Sequence, residues 1–253
     1  MSSRSREKRL KVLGNAGLIA LAVATACAVA FAIIGTRSDA PPAPEKVQAY
    51  YESGQGATTK ARPVVPLAAF IGDSYAAGAG ATNPALRWPA LLTAKMGWAE
   101  DNLAISGSGY VNEPKQGACG KPECPAYPGV VEKLNPVTDY VIISGGRNDV
   151  WYSREEIEAN VTGLVMAVRQ KLPEAQVIIA SPMWEKEPIP ANMQNVIEAV
   201  KSAASINNVP YLELGTPLEE GPDRTAPDGY HPNVAGHEAI AGRVAEVLPA
   251  VLK

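Results

Sequence analysis

Gly72-Asp73-Ser74-Tyr75 follows directly on an apolar run, Val64 to Ile71, and precedes a segment of small residues, Ala76 to Ala81. This pattern predicts a buried strand that stops abruptly and delivers a serine hydroxyl to the edge of a sheet. A serine in such a place is commonly a helix N-cap. It becomes a nucleophile only where a neighbouring base removes its proton. The chain holds two histidines, His231 and His237. His231 lies in Asp228-Gly229-Tyr230-His231-Pro232, ahead of the last helical stretch. Asp228, three residues earlier, is spaced to turn back, accept the imidazole proton and fix its tautomer. Aspartates at that spacing also cap turns. His237, inside Ala235-Gly236-His237-Glu238, is expected to be a surface or capping group.

A tetrahedral intermediate also needs donors aimed at its oxyanion. Gly107 offers an unhindered backbone N–H, or simply marks a position of positive φ. Asn148, in Gly145-Gly146-Arg147-Asn148-Asp149, offers a side-chain amide, or is a turn residue. Arg147 is expected to pair with Asp149 or another carboxylate, the alternative being an anionic group on a substrate. Trp151, Tyr152, Met183 and Trp184 follow strand ends, where aromatic and thioether groups line a pocket or pack its rim.

Positioning these residues requires strands that alternate with helices. The apolar runs predict strands over 64–71, within 98–105, over 140–144, 176–180 and 211–214. Helices are predicted over 88–96, 153–172, 191–207 and 233–252, with Pro232 suited to the first turn of the last one. Ser153 and Glu156 make a capping box, and Pro173 stands just past the helix end. Such alternation implies an α/β fold, a mostly parallel five-stranded sheet with helices on both faces. Ligands in such folds sit at the carboxyl ends of the strands, where Ser74, the 106–109 loop, the 145–149 loop and the 181–184 segment all fall.

The N-terminal quarter differs in character. Residues 12–35 carry no charge and are long enough to cross a hydrocarbon core of roughly 30 Å as a helix. Basic residues in 1–11 keep that end in the cytoplasm. A transmembrane anchor is favoured over a cleaved signal, whose apolar stretch is normally shorter, although Ala28-Val29-Ala30 offers a cleavage site. Cleavage would make the protein secreted. Residues 36–62, rich in Pro, Gly and Ser, form a tether, in which 45–51 has room for one or two helical turns. The remaining 63–253 form the globular domain. On either reading that domain is extracytoplasmic, at the plasma membrane if the anchor is kept. There, Cys119 and Cys124 are close enough to close a small disulfide ring.

Of 253 residues, 46% are hydrophobic and the net charge is -3. Arg4, Arg6, Lys8, Arg9, Lys11 and Arg37 against Glu7 give residues 1–37 a charge of +5, which leaves -8 for the rest. An acidic body disfavours nucleic acid as a partner. An aromatic content of 6% and the lack of an internal repeat disfavour propellers and solenoids. No metal-ligand spacing and no phosphate-binding glycine loop stand out, so no metal or other cofactor is expected.

Four of these segments together resemble the SGNH hydrolase (GDSL esterase/lipase) family. Gly72-Asp73-Ser74-Tyr75 is similar to its first block, Gly107 five residues after Asn102 to its second, Gly146-Arg147-Asn148-Asp149 to its Gly-x-Asn-Asp block, and Asp228-Gly229-Tyr230-His231 to its Asp-x-x-His block. The resemblance spans roughly residues 64–252 and departs at Tyr75, where the family name has leucine. It implies a flavodoxin-like three-layer α/β/α sandwich and a serine esterase without cofactor. In it Ser74 attacks the ester, His231 is the base, Asp228 orients His231, and the Ser74 N–H, Gly107 N–H and Asn148 amide form the oxyanion hole. Export points to acyl esters on envelope lipid or glycan. The alternatives are an acyltransferase to a sugar hydroxyl and a non-catalytic surface binding module.

Overall fold

The computed structural model describes residues 65–252 apart from 116, 118, 121–123 and 220–222. The basic tail, the apolar span at 12–35, the tether and the one or two helical turns at 45–51 lie outside the described residues. Among the described residues, no helix is long and apolar enough to cross a membrane.

Five strands, β1 (Leu67–Gly72), β2 (Ala99–Asn102), β3 (Tyr140–Ser144), β4 (Gln176–Ala180) and β5 (Tyr211–Leu212), form one sheet in the order β2-β1-β3-β4-β5. Every neighbouring pair is parallel. Because strand side chains alternate, each inner strand feeds two cores. Ala69, Ile71, Val141, Ile143, Val177 and Ile179 face one layer, which contains Ile157, Leu164, Val196 and Val200. Ala68, Phe70, Ile142, Ile178 and Ala180 face the other, which contains Trp88, Leu92, Ile240 and Val244. These partners belong to α2 (Trp88–Met96), α3 (Arg154–Lys171), α4 (Ala191–Ile206) and α5 (Val234–Val247). A four-residue helix, α1 (Ser74–Ala77), follows β1. The result is the expected three-layer sandwich.

β3 and β4 begin and end where the apolar runs do, and the Ser153–Glu156 capping box is present at the start of α3. Elsewhere the boundaries move for local reasons. β1 starts after Pro66, which has no N–H for a ladder and uses its carbonyl to accept from Ala99 N at 2.8 Å. β5 stops at Leu212, because the Ser181 hydroxyl takes the Leu214 N–H at 2.9 Å. α5 starts at Val234 with Asn233 as its cap, whose side chain accepts from Gly236 N at 3.0 Å. Pro232 therefore precedes the cap rather than sitting in the first turn, and it pairs in a short bridge with Thr225.

His237 is fully buried, not a surface group. Its Nδ1 accepts the Trp88 N–H at 3.3 Å and its Nε2 lies 3.1 Å from the Ala79 carbonyl. The residue before α2, Arg87, makes no side-chain cap, so His237 satisfies one of that helix's orphan donors from another element. These contacts require the neutral ring with hydrogen on Nε2. Burial lowers its pKa below the ordinary 6.5, with His231 adding to the effect. As pH falls the unfolded chain therefore takes up the proton first. The stabilisation from His237 is complete above pH 6.5 and is lost as pH falls through the lower folded value. His237→Leu is expected to cost about 1–3 kcal/mol at pH 8 by orphaning a buried donor. Denaturant unfolding should show that gap between wild type and variant shrinking at acid pH.

Candidate active site

The site forms where β2, β1 and β3 end side by side, joined by the loop that precedes α5. Gly72 of β1 is in register with Ser144 of β3. The chain then turns into α1, whose cap is Asp73 rather than Ser74. The Asp73 side chain accepts the Tyr75 N–H at 3.0 Å. Burial pushes the Asp73 carboxyl up to about 6, against the pull of the Tyr75 N–H and the Arg147 charge. With Asp73 serving as cap, the Ser74 hydroxyl is left free of that duty and stands half-buried at the first position of α1.

The three residues proposed for proton chemistry are brought together from positions 74 and 228–231. Ser74 Oγ lies 3.0 Å from His231 Nε2. His231 Nδ1 lies 2.7 Å from Asp228 Oδ2. The other Asp228 oxygen accepts the backbone N–H groups of Tyr230 at 3.1 Å and His231 at 3.0 Å. These bonds, the His231 side chain's first, hold the Asp228 carboxyl down at about 2. Asp228 is therefore an anion at neutral pH, and with hydrogen on Nδ1 the Nε2 of His231 is an acceptor facing the Ser74 hydroxyl.

Gly107 and Asn148 sit on the loops after β2 and β3, the two neighbours of β1. The Asn148 amide donates to the Ser108 carbonyl at 2.8 Å. One of its two hydrogens is thereby used and the other is left. The Ser108 hydroxyl donates to the carbonyls of Ile105 at 2.7 Å and Gly72 at 3.2 Å, which ties this loop to the end of β1. Gly107 has φ +81°, a left-handed conformation that favours glycine. Among the described residues, the N–H groups of Ser74 and Gly107 have no hydrogen-bond partner.

Asp149 organises the loop from below. Its buried carboxylate accepts the N–H groups of Tyr110, Val111 and Asn112 at 2.7, 3.1 and 2.8 Å. A Cβ on Gly109 would run into this carboxylate, so no side chain fits there. Being committed in this way, Asp149 is not the partner of Arg147. That partner is Glu185, at 2.6 Å. The Arg147 guanidinium also lies 3.7 Å from the Trp184 ring centroid and 5.4 Å from that of Tyr230. Trp184 thus packs at the rim, while Trp151 is 86% exposed. Cys119 and Cys124 are joined in a disulfide. The base of their loop is closed by Tyr127, whose N–H donates to the Gly109 carbonyl at 2.9 Å. Among the described residues, no group of three or more His, Cys, Asp or Glu is placed to hold a metal ion.

Comparison with known proteins bears on the family and the fold. The model of the GDSL-like lipase/acylhydrolase family matches residues 70–239, a span that includes every residue named for the site. A GDSL lipase of Mycobacterium tuberculosis is 25% identical over 194 residues, 71% of this chain and 80% of its own length. Among solved structures, a member of the lipolytic G-D-S-L family from Veillonella parvula superposes with a TM-score of 0.57 at 16% identity, covering 74% of this chain and 100% of its own. A family 2 carbohydrate esterase with a carbohydrate-binding domain from Corynascus thermopiles gives 0.58 at 21% identity, covering 77% of this chain and 68% of its own. The chain belongs to the GDSL-like lipase/acylhydrolase family and is a carboxylic ester hydrolase.

Proposed function

We propose that the protein is a membrane-anchored, extracytoplasmic serine esterase that removes acyl groups from envelope lipid or glycan through an acyl-enzyme on Ser74. The observation that carries this reading is the chain of contacts from Ser74 Oγ to His231 Nε2 and from His231 Nδ1 to Asp228. In the proposed cycle, Ser74 Oγ adds to the ester carbonyl as His231 Nε2 takes its proton. The oxyanion is met by the Ser74 and Gly107 N–H groups and the remaining Asn148 hydrogen. Collapse expels the alcohol, which receives the proton from His231. Water then repeats the sequence on the acyl-enzyme, releasing the acid and restoring Ser74. No step calls for a metal or cofactor.

The mycobacterial lipase favours lipid esters, and the carbohydrate esterase fold favours acylated sugars. The uncharged span at 12–35, with basic residues before it, supports an anchor that holds the domain outside the membrane. The test is hydrolysis by the full chain of two ester series. One series is p-nitrophenyl esters from acetyl to palmitoyl, and the other is acetylated oligosaccharides. Saponifiable acyl loss from either series supports the reading and selects the substrate class. Inactivity on both contradicts it, and transfer to an added sugar faster than release of acid replaces hydrolase with transferase.

A further inference from the structure

Asp228 and His231 ride on an exposed loop, and little fastens its tip. Pro227, Asp228, Gly229 and Tyr230 are all exposed. Most of its hydrogen bonds are internal: Ala226 N to His231 O at 2.7 Å and Gly229 N to Ala226 O at 2.9 Å, besides those to Asp228. Among the described residues, two hydrogen bonds join the 226–231 tip to the rest of the protein. One is Ser74 to His231. The other runs from the Tyr75 hydroxyl to the Tyr230 carbonyl.

These two bonds form adjacent rungs. Consecutive residues of α1, Ser74 and Tyr75, meet consecutive residues of the loop, His231 and Tyr230. Tyr75 is 3% exposed and packs in the core beside Phe70 and Trp88, so its ring is fixed and its hydroxyl is held at the loop. Its partner is a carbonyl oxygen, which can only accept, so the phenol is the donor; burial raises its pKa and keeps it protonated. The Tyr230 ring is backed by the Arg147 guanidinium and lies 4.2 Å from the His231 ring, centroid to centroid. A leucine after the serine would fill the core but present no polar group to the loop.

We propose that Tyr75 is a positioning residue for this site: its hydroxyl pins the Tyr230 carbonyl and thereby holds His231 in line with Ser74. The proposal rests on the roles given to Ser74 and His231 above. Without the pin, the one hydrogen bond left between the tip and the rest of the described residues is the bond that catalysis must remake at each proton transfer. The pin acts on the transfer step and not on substrate binding, so its loss lowers kcat and leaves KM alone.

The experiment compares full-length wild type, Tyr75→Phe, Tyr75→Leu and Ser74→Ala on a short-chain p-nitrophenyl ester. Rates are scaled to the folded fraction from circular dichroism at the assay temperature. Tyr75→Phe keeps the ring and removes the pin. It is expected to lose roughly tenfold in kcat, the worth of about one net hydrogen bond, with KM within about twofold and an unchanged folded fraction. Tyr75→Leu should be no more active than Tyr75→Phe. A Tyr75→Phe enzyme with wild-type kcat overturns the proposal. So does one whose loss appears in KM, or one that no longer folds, since the account places the ring and not the hydroxyl in the core. Wild-type activity in Ser74→Ala overturns the underlying site assignment instead, whatever the Tyr75 variants do.

Discussion

Ser74→Ala is expected to lower kcat for ester hydrolysis by at least about 10⁴-fold, roughly 5 kcal/mol of transition-state stabilisation. The substitution removes the one atom that can bond to the acyl carbon. It leaves the binding surface and the candidate oxyanion donors, two of which are backbone groups, in place. Water attack assisted by His231 would then supply the residual rate. Folding should be little affected, because Asp73 and not Ser74 caps α1. Steady-state kinetics beside thermal unfolding separate the two effects. A variant as active as wild type would remove Ser74 from the mechanism.

Asp228→Asn should cost about 10³–10⁴-fold in kcat by a different route. The two backbone N–H groups that Asp228 accepts can still be met by an amide oxygen. The remaining position, 2.7 Å from His231 Nδ1, then receives an NH₂ group. Two donors cannot face each other, so the imidazole shifts its hydrogen to Nε2 and meets Ser74 as a donor instead of an acceptor. The loop keeps its shape while the base is disabled. Kinetics of the variant should therefore show a fall in kcat with little change in KM. Because the Asp228 carboxyl is held at about 2, its protonation does not contribute to any loss of activity between pH 4 and 8. An acid limb in that range that disappears in Asp228→Asn would contradict this.

Much of the scaffold was legible in the sequence because it is governed by local rules. β3 and β4 are continuous apolar runs buried on both faces, and their ends coincide with the predicted ones. The ends of α3 were marked by Ser153, Glu156 and Pro173. The proposed site residues were singled out by the resemblance of four short blocks to the family's, since each residue alone also fits a cap or a turn. Each stands at a strand end or helix entry within a short block, and the parallel topology gathers those ends on one edge of the sheet.

What was not legible depends on contacts between distant segments. His237 has a neighbourhood typical of a surface helix, and only the fold brings it under Trp88 and Ala79. Asp149 lies two residues from Arg147 yet spends its carboxylate on the 110–112 backbone, which leaves Arg147 to Glu185. The Tyr75 ring packs in the core, but its hydroxyl reaches a carbonyl 155 positions away. No periodicity or spacing signals such a bond. The departure from leucine at that position was the single clue available, and it did not name a partner.

The central claim is that Ser74 is the nucleophile, and covalent trapping tests it most directly. The full-length protein is treated with a fluorophosphonate, which phosphonylates an activated serine with loss of fluoride, then digested and mapped by mass spectrometry. The account predicts one adduct per chain on the peptide carrying Ser74, absent from Ser74→Ala and formed far more slowly in Asp228→Asn. Stoichiometric labelling of another residue, or an adduct that persists in Ser74→Ala, would contradict it.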